Sequence, residues 1–350
     1  MNLEFRKYIK AVGTGPKLSR NLTSEEAERA FQLILEGEAT DAQIGALLVP
    51  LRMQGETVEE LAAFTKVTRN FCHQIHTHFK HFVDCGVAYD GKIKFPHLMP
   101  VAAFVAAGAG AQVLLHGQSE TPPKYGVSVL DVFKILGVSI DEPMIRVKEI
   151  LEKIGVGFLS IEEISPRVAQ LKRIREELGL RTVFNHIEKL WNPMNAPHQV
   201  ISVYHGPYLQ TIPNVLEKLN AKHALVVQGM EGTPDCRLNR VTKIVELRGN
   251  EFIPMMIQPK ELGFEAIEEP VFEGLTPQEN ADFVVKCLES KEGALRDLSI
   301  LNGALLIYAS EITNNLAEAV NRARDSLDSR QALNKLQTLR KMNTSQNMKV

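Results

Sequence analysis

Cysteine is scarce in this chain. Cys72, Cys85, Cys236 and Cys287 are its only four; they stand far apart and none forms a C-x-x-C pair. A disulfide scaffold and a compact thiolate metal site are excluded, and a reduced, cytoplasmic protein is expected. Long apolar runs are missing too. No stretch approaches the ~20 residues that a membrane helix needs, so no membrane association is expected. The opening residues, MNLEFRKYIKAVG, lack the apolar centre of a secretory signal. Charge of one sign is also absent: 40 Lys and Arg against 42 Asp and Glu leave a formal net charge of −2. Bulk charge therefore advertises neither nucleic acid nor membrane, although a local patch can still form. What remains is ordinary, with 44% hydrophobic and 23% charged residues. A length of 350 residues suffices for one large or two smaller domains.

Residues 1–80 read as a helical domain. Three capping boxes recur, Thr23 with Glu26, Thr40 with Gln43 and Thr57 with Glu60, each ahead of an apolar helical pattern. Gly37 and Gly55 stand where C-terminal caps belong, and Pro50 should kink the second helix or mark its last turn. No spacing here carries chemistry, so a packing or dimerisation module is the plain reading. His73, His76, His78 and His81 are dense, but their spacing fits no compact zinc pattern; solvated or packing histidines are expected.

The α/β region is expected over 81–164 and 196–340, with a polar, frayed tail at 341–350. It begins with a strand ending near Phe82 and Val83, a Gly-bearing loop, a small-residue helix VAAFVAAGAGA, and a second strand closed by His116 and Gly117. That is a βαβ unit of a parallel sheet. Ligands in such sheets bind beyond the carboxyl ends of the strands, which directs attention to loops 84–91 and 116–126. Helices are predicted over 127–137, 143–155, 208–219, 276–289, 296–310 and 316–327. Strands are predicted over 156–161, 199–204, 224–228 and 242–247. Residues 165–179 read as one helix, basic on one side through Arg167, Lys172, Arg173 and Arg175.

The order of these pieces resembles the anthranilate phosphoribosyltransferase family, glycosyltransferase family 3. That family carries a GTGGDG phosphate loop, an F-N-I-S-T segment, an A-x-A-F-V-A-A helix and a K-H-G-N strand end. Here the helix stands as Val101-Ala102-Ala103-Phe104-Val105-Ala106-Ala107 and the strand end as His116-Gly117-Gln118. The family's R-x-E-L-G-x-R-T-[IV]-F-N run is matched by Arg175, Leu178-Gly179 and Arg181-Thr182-Val183-Phe184-Asn185, followed by Asn192-Pro193. The resemblance spans about 22–339. It implies an α/β protein of the nucleoside phosphorylase/phosphoribosyltransferase-like kind: a small helical domain, completed by about 165–195, beside a larger α/β domain with a mainly parallel sheet. It also implies a homodimer through the helical domain, and phosphoribosyl (pentosyl) transfer to an acceptor the sequence does not name.

The departures from the pattern fall on the chemistry. Backbone N–H groups must cradle the pyrophosphate, which is why glycines line such loops. Cys85-Gly86-Val87-Ala88-Tyr89-Asp90-Gly91 keeps Gly86, Asp90 and Gly91 but crowds the middle of the loop. The N-I-S-T segment has become Pro96-His97-Leu98-Met99-Pro100, without a hydroxyl. Weakened donor binding is expected. The family's metal-holding Asp-Glu pair falls on Pro234 and Asp235; Asp235 with Glu231 is the candidate Mg²⁺ set, and a plain surface turn is the alternative. Arg175 matches the arginine that grips the acceptor's carboxylate, against the plainer reading of a surface arginine paired with Glu176 or Glu177. Lys124, with His116 and Gly117, completes the candidate anion-binding set for a small phosphorylated ligand. One alternative function follows. The resemblance would bring Lys92, Lys94, Lys124, Arg167, Lys172, Arg173, Arg175 and Arg181 to one cleft, with Tyr89 and Tyr125 as stacking faces. Such a groove suits single-stranded nucleic acid, and a divergent branch of the family is known as non-catalytic nucleic-acid-binding dimers.

Overall fold

A computed structural model describes residues 2–118, 120–267 and 275–347. The strands are β1 (Phe82–Gly86), β2 (Gln112–Gly117), β3 (Val156–Ser160), β4 (His198–Val203), β5 (His223–Gln228), β6 (Thr242–Arg248) and β7 (Glu251–Ile257). They form one seven-stranded sheet in the order β3-β2-β1-β4-β5-β6-β7. The first five are mutually parallel; β6 and β7 run antiparallel to their neighbours. The chain winds outward from β1 through β2 to β3, then returns to lay β4 against the other side of β1. That reversal opens a crevice at the carboxyl ends of β1 and β4, where ligands of open parallel sheets bind.

The amino-terminal helices form as their caps direct. All three Thr-x-x-Glu/Gln boxes close reciprocally, and Gly37 and Gly55 take positive φ of 79° and 80° beyond their helices. Pro50 lies inside the Asp41–Gln54 helix, in its last turns. The apolar faces of this bundle do not enclose a separate core. Phe31, Phe64 and Phe184 stack together and join one continuous apolar cluster with Phe82, Leu114, Leu159 and Val226 from one face of the sheet. The predicted helix over 165–179 is instead two short pieces, Pro166–Ala169 and Lys172–Leu178, the second closed by Gly179 at φ 62°, and a further short helix, Ile161–Ile164, precedes them.

Two elements escaped the sequence reading. Strand β7 contains Pro254, which argues against a central strand; the residue is tolerated because β7 is the sheet's edge. The helix Gln331–Asn347 runs through the residues expected to fray. Ala332, Leu333, Leu336 and Leu339 are buried, Arg340 Nε donates to the Leu136 carbonyl at 2.6 Å, and Asn343 Nδ2 donates to the Gly137 carbonyl at 2.9 Å.

On the opposite sheet face the Met99–Gly108 helix is the centre of the packing. Residues 99–107 are buried all round, against the Ala294–Ala309, Leu316–Asp328 and Gln331–Asn347 helices. Its alanines permit that close approach, and Gly108 and Gly303 permit the closest contacts. A Cβ at Gly303 would lie 2.2 Å from Val105 Cγ1. Gly303→Ala should therefore overpack the core and cost roughly 1–3 kcal/mol. A fall in the urea midpoint with an unchanged slope is the expected result; an unchanged midpoint would contradict the packing described.

A candidate ligand cleft at the carboxyl ends of the central strands

A cavity of about 460 Å³ lies at the predicted crevice. Its floor is Ala88 to Gly91 after β1, its far wall Tyr204 and His205 after β4, and its rim Glu231 and Gly232 after β5. Arg52, Arg181, Asn185, His186, Lys189 and Tyr208 close it from the helical side.

The loop after β1 is filled by its own side chains. Val87, Ala88 and Tyr89 are all buried. The Tyr89 hydroxyl accepts from Ser202 Oγ at 2.7 Å, and Lys189 Nζ lies 5.5 Å from the Tyr89 ring centre. Tyr89 thus turns into the protein, where a glycine would have left room for a ligand, and offers no open stacking face. The retained glycines answer to chain crossings. A Cβ on Gly86 would lie 2.5 Å from Lys189 Cα, one on Gly117 2.9 Å from the Val87 carbonyl oxygen, and one on Gly91 2.2 Å from the Gly126 carbonyl oxygen. Loops 84–91 and 116–126 are stitched together there: the Asp90 carbonyl accepts from the Tyr125 and Gly126 N–H groups at 2.7 and 3.2 Å.

Glu231 holds an anion position. The N–H groups of Ile93, Lys94 and Phe95 point at its carboxylate, at 3.1, 3.2 and 3.2 Å. Three successive backbone donors of this kind form an anion-binding nest. Glu231 adopts φ 50°, a left-handed conformation uncommon outside glycine. Asp235 is engaged by protein cations through Oδ2, while its buried Oδ1 has no hydrogen-bond partner. Its Oδ2 accepts from Lys92 Nζ at 2.5 Å and faces Arg237 Nη2 at 3.9 Å, with both partners buried. Burial pushes its pKa up, but Lys92 and Arg237 outweigh that and hold it below the ordinary carboxylate range. This donor set does not fit Mg²⁺. Lys92 already supplies the counter-charge to Asp235, Glu231 is engaged by the nest through both oxygens, and Pro234 offers no carboxylate between them.

The other predicted residues scatter. Asp90 reaches the cavity and pairs with Arg181 Nε at 2.5 Å. His116 is buried on Asp84, 3.2 Å away. Arg175 is buried, its fork filled by Glu188 through Nη1–Oε1 and through Nη2–Oε2 at 3.3 Å, with Phe184 against its plane. Its partner is thus neither Glu176 nor Glu177. Lys124 pairs with Asp131 at 2.7 Å, Lys172 with Glu120, and Arg173 with Asp41 at 2.5 Å. Much of the basic set thus meets an acid within the chain. His73, His76 and His78 are exposed, and among the described residues they join no ligating cluster.

Lys189, His186, Tyr204 and Tyr208 were missed; only the turn after the R-T-V-F-N run and the end of the 199–204 strand hinted at them. Burial pulls Lys189 down to about 8, with Asp90 opposing. A lysine lowered from 10.5 carries its full desolvation cost below pH 8, where folded and unfolded chains are both charged. That cost is relieved as pH rises from about 8 to 10.5, because the unfolded chain then holds the extra proton. Relative to a Lys189→Met variant, wild type should therefore gain roughly 3 kcal/mol across that window. Urea titrations at each pH measure the difference, and a constant gap would contradict the burial of a charged amine.

Comparison with known proteins agrees with this architecture. Residues 6–72 match the glycosyl transferase family's helical bundle domain, and residues 93–333 its a/b domain. Curated anthranilate phosphoribosyltransferases are similar over most of their length. That of Acetivibrio thermocellus is 34% identical over 91% of both chains, and that of Methanocorpusculum labreanum is 36% identical over 91% of this chain and 93% of its own. The crystal structure of the Thermus thermophilus enzyme superposes with a TM-score of 0.83 at 30% identity, covering 97% of this chain and 99% of the other. The Saccharomyces cerevisiae enzyme, solved with PRPP and Mg, shares the fold at 20% identity, with a TM-score of 0.81 over 97% and 98% of the two chains. From its helical bundle to its last core helices, the chain belongs to glycosyltransferase family 3, the family of the anthranilate phosphoribosyltransferases.

Proposed function

We propose that the cleft binds a phosphorylated small molecule bearing a flat ring, and that Mg²⁺-assisted transfer from phosphoribosyl pyrophosphate in the family's usual manner is not its reaction. The observation that carries this reading is the Glu231 carboxylate seated in the 93–95 nest. An anion of the protein occupies backbone donors at the cavity's edge, and Tyr89 fills the loop beside them. Family membership keeps pentosyl transfer as the reaction class; the donor and acceptor differ from the usual pair. Arg52, Lys94, Arg181 and Lys189 supply positive charge around the cavity, while Tyr204 and Tyr208 supply ring faces. Phosphate is recognised by such charge and rings by such faces.

A second reading is single-stranded nucleic acid. Tyr125 and Tyr204 are 59% and 56% exposed, and the Arg181 guanidinium lies 5.5 Å from the Tyr125 ring centre, a stacking edge suited to a nucleotide. The ion pairs of Lys124, Lys172 and Arg173 weigh against it, since a polyanion would have to displace their acids. We further propose a homodimer through the helical domain. The shallow groove lined by Ala42, Gly45, Ala46 and Val49 with Ile174 and Leu178 is the surface for it. Light scattering should give twice the 39.1 kDa chain mass, and a monomer would contradict this.

Glu231→Ala tests the cleft. With the nest vacated, calorimetry should find pyrophosphate binding at least ~10-fold tighter than in wild type, because hydrogen bonds to charged groups contribute about 1.5–3 kcal/mol each. No gain would mean that Glu231 does not hold an anion subsite. A gel shift with single-stranded DNA that falls steeply with salt, and is lost in Lys94→Ala with Tyr125→Ala, would transfer the weight to the second reading.

A further inference from the structure

The opposite, amino-terminal end of the sheet holds a cluster that the cleft does not use. His198 opens β4 and His223 opens β5, and the two are paired neighbours in the parallel register. Their Nδ1 atoms face each other at 3.0 Å, with the ring planes crossed at 82°. Glu311, in the turn after the Ala294–Ala309 helix, brings a carboxylate oxygen to the same point. Among the described residues these form the one group of three or more His, Cys, Asp and Glu ligand atoms that could hold an ion, all within 4.8 Å of one another.

The protonation pattern around this cluster is fixed from outside. Glu246 on β6 accepts from Arg248 Nε and Nη2 at 3.1 and 2.7 Å and from the Tyr308 hydroxyl at 2.9 Å. With those donors it is a carboxylate, able only to accept. It lies 2.9 Å from His223 Nε2, so the N–H of a neutral His223 sits on Nε2 and its Nδ1 carries a lone pair. The His223 Nδ1 lone pair then faces His198 Nδ1 across 3.0 Å, a gap that either a proton or a cation must bridge. A carboxylate, a histidine N–H and a free second nitrogen is also how proteins orient a metal-binding imidazole.

We propose that His198, His223 and Glu311 bind a transition-metal dication of the Zn²⁺ type. Two nitrogens at ~2.0–2.1 Å from a tetrahedral Zn²⁺ are about 3.3 Å apart, so the observed pair needs only a few tenths of an ångström of relaxation. Glu311 sits at φ 55°, a left-handed conformation that costs a non-glycine residue and turns its side chain here. Its Oε1 is held by Arg248 Nη1 at 2.8 Å, which leaves the other oxygen for the ion. The charge of Arg248 opposes a dication, and Glu246, bonded to that same guanidinium, offsets it. The ion would have three protein ligands and an outward position for water. It would clip the starts of β4 and β5 to the turn between the last long helices, an assembly remote from the ligand cleft.

The test uses the full chain, freed of metal with a chelator and titrated with Co²⁺ as an optical probe. Wild type should develop saturable visible ligand-field bands at one Co²⁺ per chain, displaced by Zn²⁺, and its thermal midpoint should rise with the metal. His198→Ala should lose the bands. Glu311→Ala lies on an exposed turn where folding is not at stake, and should bind more weakly. Glu246→Gln leaves all three ligands in place and should weaken binding about 10- to 100-fold. Absence of saturable bands in folded wild type would overturn the proposal and leave a proton between the rings. Bands that persist in both His198→Ala and Glu311→Ala would overturn it as well, tracing the metal to the exposed histidines near residue 76.

Discussion

The buried pair of Lys92 and Asp235 ties together the two loops that make the cleft. Residues 92–98 leave β1 for the central helix, and residues 229–237 leave β5 for the edge hairpin. Lys92 Nζ bonds Asp235 and also the Pro96 carbonyl at 3.2 Å, and the Leu98 N–H reaches the same Asp235 oxygen at 3.4 Å. Around it, Glu231 clasps the 93–95 nest and the Arg237 guanidinium covers the Phe95 ring at 4.5 Å. Apart from the Lys92–Pro96 bond, each of these contacts runs from one loop to the other. Charges this deep are stable only as a pair, and removing one partner typically costs about 3–5 kcal/mol. The cleft's shape therefore follows from an internal salt bridge.

That constraint is compatible with the family's architecture and turns the polar groups at the cleft toward one another. A pyrophosphate site needs backbone donors open to solvent and carboxylates free to hold a cation. Here the same kinds of group are present, but they face each other: Glu231 serves as the anion for the donors, and Lys92 as the cation for Asp235. Arg175 follows the same rule, since it forks Glu188 inside the protein. What stays open is the part lined by Arg52, Lys94, Arg181, Lys189 and the tyrosines. On the proposed reading, the walls contributed by β4 and the helical domain would set specificity in place of the loop after β1.

How much of this was legible in the sequence depends on the range of the interaction. Capping boxes act over three residues, so Thr23, Thr40 and Thr57 located three helix starts to the residue. The parallel sheet followed from apolar runs alternating with helices. Strand β7 was hidden because Pro254 breaks a strand pattern everywhere except at an edge, and an edge is a property of the whole sheet. The last helix was hidden because its polar end is anchored by Arg340 and Asn343 on carbonyls some two hundred positions away. The crowding at Val87, Ala88 and Tyr89 was visible as lost glycines. That Tyr89 turns inward, and that Glu231 reaches 93–95 and Glu188 reaches Arg175, depends on contacts that spacing alone does not encode. The same holds for His198 and His223, which become neighbours only through strand register.

The central proposal is that this family member's own charged side chains close the family's usual donor site. Calorimetric titration of the wild-type chain with phosphoribosyl pyrophosphate in the presence of Mg²⁺ tests it most directly. The account predicts no saturable heat at micromolar to low millimolar ligand. Micromolar binding that requires Mg²⁺ would contradict it.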